Sequence, residues 1–307
     1  MLKKIVFMGT PFFAVPVLKS LYQNGYQILE VYTQPPQKSH RGQKINKSPI
    51  QGISETLNLN YRTPISLEDN NDEYQHLKKL EPDIVIVVAY GQIIPKNFLN
   101  LSKKGFINIH ASLLPKFRGA APIQRSIMNL EKETGISIMK INEKLDTGPI
   151  CNTYSLKILE NENVESLSER LSLLAAKKLL NDIDNILEDR ANFKPQKDEN
   201  VTYARKILKS EGKINWSEPT KNIIGKINGL YPNSFFIYKG ERYKILKAEP
   251  SSKIGEIGKV ISDSLEVGCK DGAIKIIEIQ REGKRAQKIN EFMLGSKIIN
   301  GSNLKDA

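Results

Sequence analysis

Cysteine is scarce in this chain. Cys151 and Cys269 are the only two, and neither sits in a CxxC or Cys/His cluster. That argues against a disulfide framework and against a zinc site, and a reducing cytosol is the expected compartment. Long apolar runs are missing too. The most apolar stretch, Ile84 to Ala89, is strand-sized, well short of the roughly 18 apolar residues that a membrane span needs. The opening Met1-Leu2-Lys3-Lys4-Ile5-Val6-Phe7 runs directly into a strand-like segment, so no signal peptide is expected. Glycine is lacking where a dinucleotide would need it. The turn after the first strand reads Gly9-Thr10-Pro11-Phe12-Phe13-Ala14 instead of GxGxxG, so NAD or FAD is not expected. A Walker lysine loop, a GxSxG elbow and an HExxH helix are also absent, which removes the phosphate-cradle, serine-hydrolase and zincin readings.

What is present is basic charge, unevenly spread. The chain of 307 residues carries a formal net charge of +12. Residues 1–204 hold 26 Lys+Arg and 22 Asp+Glu, a net of +4, whereas residues 205–307 hold 20 and 12, a net of +8. A basic region attached to a nearly balanced one points to a polyanionic partner, nucleic acid first. A solvated lysine-rich surface is the plainer reading of the same count.

The first 150 residues alternate strand and helix patterns, the signature of an α/β, mostly parallel sheet of the Rossmann-like kind. Strands are expected at Lys4–Met8, Gln27–Thr33, Asp83–Val88, Gly105–His110 and Thr134–Ile141, with a weak one near Tyr61. Helices are expected up to Tyr22, over Ile50–Leu57, Asp72–Leu80 and Ile123–Leu130, and as one long amphipathic element over Val164–Leu187. The polar segment Gln34–Pro49, with Lys38, Arg41, Lys44 and Lys47, is expected to be a mobile loop that a polyanion could order. Asp189 begins a polar, irregular stretch. The division expected is therefore a first domain over 1–188, a linker over 189–204 and a basic second domain over 205–307. In the last, a helix near Thr220–Asn228 precedes five short strands: Ser234–Tyr238, Tyr243–Lys247, Gly258–Ile261, Leu265–Cys269 and Ile274–Ile279. That spacing suggests a small β-barrel, OB-like in type.

Chemistry concentrates in Asn108-Ile109-His110-Ala111-Ser112-Leu113-Leu114-Pro115-Lys116-Phe117-Arg118-Gly119-Ala120-Ala121-Pro122. Alternation along the strand sends Asn108 and His110 to one side, and ligands of open α/β sheets bind beyond the strands' carboxyl ends. Downstream, Leu145-Asp146-Thr147-Gly148 puts a carboxylate on a tight turn. An Asp beside a His fixes its tautomer and stabilises its charged form. Taken singly, a strand-end His is as readily a structural hydrogen-bonder, and Asp-Thr-Gly is a common turn. His40, in the polar loop, and His76, on a lysine-rich helix, look like surface residues.

Taken together, Asn-x-His-x-Ser-Leu-Leu-Pro-x-x-Arg-Gly followed by Leu-Asp-Thr-Gly resembles the hallmark of the formyltetrahydrofolate-dependent formyltransferase superfamily. Within it, Arg118-Gly119-Ala120-Ala121-Pro122-Ile123-Gln124 is similar to the methionyl-tRNA formyltransferase family, as are Met8-Gly9-Thr10-Pro11-x-Phe13-Ala14 and Val88-Ala89-Tyr90-Gly91. Thr202-Tyr203-Ala204-x-Lys206 and Ile214-Asn215-Trp216 extend the likeness into the second domain. The polar loop around Arg41-Gly42 looks shorter than is common in that family.

The resemblance implies a formyl transfer from 10-formyltetrahydrofolate to the α-amino group of methionine on initiator tRNA, without a metal. It implies that Asn108, His110 and Asp146 form the catalytic group and that Ser112, Leu113, Leu114 and Pro115 help form the folate pocket, with Tyr90 and Gly91 beside it. Arg41 and Lys44 are the expected tRNA contacts. A cytoplasmic monomer is expected. The chemistry suits these residues: an α-amine, with a reference pKa of about 7.7–8.0, attacks without a metal-activated nucleophile. The oxyanion that forms needs donors such as an amide and an imidazole N–H. A sugar-nucleotide N-formyltransferase using the same donor is the main rival, and the basic second domain weighs against it.

Overall fold

The computed structural model describes residues 3–39, 44–296 and 298–305. Contacts group the chain into two compact units. One comprises Met1–Ala120, Thr134–Leu156 and Ser168–Ala204, and the other Ala121–Glu133, Lys157–Leu167 and Arg205–Ala307. Residues 189–204 thus pack with the first unit.

In chain order the elements begin with β1 (Lys4–Gly9), α1 (Val15–Gln23), β2 (Gln27–Tyr32), β3 (Gln37–Ser39), β4 (Lys44–Asn46) and α2 (Pro49–Thr56). There follow β5 (Tyr61–Arg62), α3 (Asn71–Leu80), β6 (Ile84–Val88), β7 (Phe106–His110), α4 (Pro122–Met128), β8 (Glu133–Lys140), β9 (Ile150–Lys157) and α5 (Val164–Leu187). Local chemistry sets several boundaries. Ser48 caps α2 by accepting the Gln51 N–H, with Pro49 at the first helical position, where its missing N–H costs nothing. Asn70 caps α3 through the Glu73 N–H, and Asp72 and Glu73 complement the helix dipole there.

The first unit's main sheet has seven strands in the order β5-β2-β1-β6-β7-β8-β9. β2, β1, β6 and β7 run parallel, and β8 is antiparallel to β7. All five residues of β6, Ile-Val-Ile-Val-Val, are buried, as a central strand covered on both faces requires. Because β1 lies between β2 and β6, the chain order reverses there, and the crevice beyond β1 and β6 is where open α/β sheets take ligands.

Two differences from the sequence reading stand out. Ile150–Lys157 is a strand, β9, at the sheet edge. Within the segment 34–49, β3 and β4 pair as an antiparallel ribbon instead of forming one long loop, and Lys47 is held by Glu55 at 2.9 Å. Arg41, like His40, lies outside the described residues.

The second unit continues with α6 (Thr220–Gly229), β10 (Phe235–Tyr238), β11 (Glu241–Ser251), β12 (Glu266–Cys269), β13 (Gly272–Arg281), β14 (Ala286–Lys288) and α7 (Ile289–Met293). β13 pairs with β11 along one edge and with β12 and β14 along the other, all antiparallel, in a curled sheet consistent with a small barrel. It closes over Trp216, Phe236, Tyr243, Ile276 and Phe292, with the Phe236 and Tyr243 rings stacked at 5.3 Å. Gly258–Ile261 is not a full strand; it makes isolated bridges, Val260 to Val267 and Lys259 to Asn303. Among the described residues no helix is long and apolar enough to cross a membrane.

Candidate active site

β7 presents Asn108 and His110 on one side, as alternation requires, and His110 is its last residue at the sheet's carboxyl edge. Their β8 partners are Met139 and Ser137. His110 is 6% exposed. Its Nε2 lies 2.9 Å from the backbone oxygen of Phe117. A carbonyl only accepts, so Nε2 carries the proton and donates. Nδ1 therefore faces the Asp146 carboxylate, 3.7 Å away.

The connection between β8 and β9 brings Asp146 to this spot. Its Oδ2 accepts the Gly119 N–H at 2.8 Å, and its Oδ1 stands 3.5 Å from the Asn108 amide nitrogen. Asp146 has φ 48°, in the left-handed region that short polar side chains tolerate better than others. Gly119, at φ 119°, has no such latitude: a Cβ there would stand 2.8 Å from the Ala204 carbonyl oxygen. The three side chains singled out from sequence thus converge, and the Arg118-Gly119 pair supplies backbone to their assembly.

The segment after β7 is tightly folded. Ser112, fully buried, donates to the Lys116 carbonyl at 2.6 Å. Ser137 donates to the Ser112 carbonyl at 2.7 Å and accepts the Leu114 N–H at 3.0 Å. Leu114 is buried and joined to Pro115 by a cis peptide, and the Leu113 side chain lies over Gly135. Tyr90 turns its ring into the core, where burial pushes its hydroxyl well above the ordinary tyrosine range. Its hydroxyl donates to Gln92 at 3.2 Å. The neighbouring backbone is engaged within the fold: the Tyr90 carbonyl accepts from Thr10 at 2.8 Å, and the Gly91 carbonyl from Gln34 at 2.8 Å. Lys44 has its backbone in β4. His76 is paired with the buried Glu30 at 2.9 Å and stands apart from this group.

Several contributors escaped the sequence reading. The Phe117 carbonyl that orients His110 carries no side-chain signal. Gln196 and Thr202 come from the stretch read as a linker: Gln196 donates to the Asp146 and Gly148 carbonyls at 2.8 and 2.9 Å, and Thr202 accepts the Phe117 N–H at 2.8 Å. Pro195-Gln196 and Thr202-Tyr203-Ala204 are the only hints of them in the sequence. Among the described residues, no three His, Cys, Asp or Glu side chains cluster as a metal site.

Comparison with known proteins identifies the family. The chain matches the formyl transferase family over residues 3–183 and the formyl transferase C-terminal domain over residues 206–297. It is 65% identical to the methionyl-tRNA formyltransferase of Pelagibacter ubique, covering 99% of both chains. It is 41% identical to that of Caldanaerobacter subterraneus subsp. tengcongensis, covering 98% of this chain and 100% of the relative. In fold it is similar to an N-formyltransferase from Helicobacter canadensis crystallised with folinic acid and dTDP-3-aminofucose, with a TM-score of 0.67 at 20% identity over 92% of this chain and 100% of that one. On the full-length relatives and both matched domains, the chain belongs to the methionyl-tRNA formyltransferase family.

Proposed function

We propose that this enzyme transfers the formyl group of 10-formyltetrahydrofolate to the α-amino group of methionyl-initiator tRNA, acting in the cytoplasm, with Asn108, His110 and Asp146 as its catalytic group. The observation that carries the reading is the convergence of an amide, an imidazole and a carboxylate at the end of β7, with the imidazole locked by the Phe117 carbonyl. When bound, the folate donor supplies a formyl carbonyl whose oxygen gains negative charge as the amine adds to it. The residues fit such a group: the Asn108 amide lies next to Asp146, with His110 at the carboxyl end of β7, and Tyr90 and Gly91 are the proposed folate neighbours.

Asn108 donates its N–H to the developing oxyanion. His110 cannot offer Nε2 without giving up Phe117, so Nδ1 takes the proton that the amine sheds and would return it to N10 of the folate as the bond from N10 to the formyl carbon breaks. Asp146 stabilises that proton on Nδ1 and, through Gly119, stays aimed at the ring. Ser112–Pro115 shape the folate side of the site, and Arg41 and Lys44 contact the tRNA. The charge of +8 over residues 205–307 suits a phosphate backbone better than a sugar nucleotide.

The test is direct. The protein is incubated with 10-formyltetrahydrofolate and charged initiator tRNA, and the product is assayed for formylmethionine. Formylation of an amino sugar nucleotide in place of the charged tRNA would sink the proposal.

A further inference from the structure

After α5 the chain returns to the site before entering the second unit. Lys194 and Ile150 exchange backbone hydrogen bonds at 2.9 and 2.8 Å. Further on, the Arg118 N–H donates to the Thr202 carbonyl at 2.9 Å, and the Ala204 N–H to the Arg118 carbonyl at 2.7 Å. Gln196 lies between these two anchors. Its Oε1 accepts from Nε and Nη2 of Arg118 at 3.1 and 2.7 Å. Its Nε2 donates to the carbonyls of Asp146 and Gly148.

A primary amide has two N–H donors and one oxygen with two lone pairs, and here all four are used. A guanidinium only donates and a carbonyl only accepts, so the amide has one permitted orientation. Arg118, 5% exposed, enforces it. The turn it grips needs a restraint: Asp146 sits at φ 48°, a conformation that persists when its surroundings over-determine it.

We propose that Gln196 is a positioning residue for formyl transfer. It holds the 146–148 turn so that the Asp146 carboxylate addresses Asn108 and His110, and Arg118 fixes the amide that does so. The inference rests on the reading of Asp146 as catalytic. A purely structural role makes a different demand, because a bond that only ties Arg118 into the fold is served equally well by a carboxylate.

Gln196→Glu separates the two. It keeps an acceptor for Arg118, as an ion pair, while replacing both donors with an oxygen that faces two carbonyls. In the full-length enzyme, kcat and the KM values for 10-formyltetrahydrofolate and methionyl-tRNA are measured for Gln196→Glu, Asp146→Asn and the double variant, with thermal unfolding midpoints alongside. Positioning predicts for Gln196→Glu a protein still folded at the assay temperature, KM values within about twofold, and kcat reduced by about tenfold or more, since small misplacements of catalytic groups are costly. In the Asp146→Asn background the same change should cost less than about twofold, because groups acting as a unit are not additive. Should Gln196→Glu fail to fold, Gln196→Met removes the donors without adding charge, and the same kcat and non-additivity are expected of it. Full turnover in Asp146→Asn would overturn the catalytic reading itself. Lost turnover in Asp146→Asn with a parental kcat in Gln196→Glu, or with losses that multiply in the double variant, would overturn the positioning role alone.

Discussion

Each unit holds a carboxylate that is little exposed, and the two are kept in opposite ways. In the first unit, Asp146 receives neutral donors, the Gly119 N–H and the Asn108 amide, and meets the His110 ring at 3.7 Å. In the second, Glu266 is gripped by the Lys253 ammonium at 2.5 Å and by the Ser251 hydroxyl at 2.7 Å. A carboxylate neutralised by a lysine contributes to stability and little else. One held by neutral dipoles keeps its charge available to a proton that moves nearby. The two surroundings differ in the charge and kind of their donors, and the contrast is the one expected if Asp146 is catalytic as proposed and Glu266 is structural.

The sharpest way to break this contrast is to remove groups from the first unit and read turnover. Asn108→Ala and His110→Ala should each lose at least ~10²-fold in kcat, in line with lost oxyanion or acid–base groups. Tetrahydrofolate binding, followed by calorimetry, should survive. A His110→Ala enzyme with near-parental turnover under chemistry-limited conditions would refute the assignment.

The next effect belongs to residues 205–307, with their net charge of +8. Affinity for tRNA should fall by roughly tenfold or more between 50 and 200 mM salt, through loss of counterion release. Formylation of a small methionine ester should hardly change over that range. Arg41→Ala should lower activity on tRNA and leave folate binding intact. A flat salt dependence, measured by filter binding, would remove the polyanion from the account.

Smaller effects test the structural carboxylates. Burial raises the Glu266 carboxyl, but hydrogen bonds from Lys253, Ser251 and Ser262 outweigh it and hold it at about 2. The folded value lies below the unfolded one, so the stabilisation is complete above about pH 4.3 and is lost as pH falls through about 2. Glu266→Gln should lower unfolding free energy by roughly 2 kcal/mol at pH 7, and the difference should vanish near pH 2 in urea titrations. Equal urea midpoints at pH 7 would contradict this.

Asp182 should behave in the reverse sense. Burial raises its carboxyl, even though Tyr154 and Asn152 donate to it. Folding therefore favours its protonated form, and the parent should gain slightly in stability on acidification relative to Asp182→Asn. Parallel pH curves for the two proteins would count against it.

Much of the first unit was legible because its strands are buried on both faces and its helices carry one apolar side. β9 was not, since Ile-Cys-Asn-Thr-Tyr-Ser-Leu-Lys at a sheet edge alternates polar groups with partly exposed ones. β11 was read short, as Tyr243–Lys247, although it runs to Ser251 through Pro250. β14 and α7 are brief enough to fall below any periodic signal. Asn108 and His110 could be paired from a period of two. Their supports could not: a main-chain carbonyl leaves no mark in a sequence, and Arg118 and Gln196 lie 78 residues apart.

That last separation has a consequence in time. The ribosome releases β1 first, yet β1 must wait for β6 before its second edge is paired. Asn108, His110 and Asp146 follow in turn, and the nascent chain then holds all three side chains of the proposed catalytic group. The Phe117 N–H and the Arg118 N–H still have no partners until Thr202 emerges. Contacts this distant in sequence close late. A nascent chain arrested between residues 150 and 195 would therefore carry Asn108, His110 and Asp146 on a loosely held frame, which Gln196 and Thr202 complete only when they emerge.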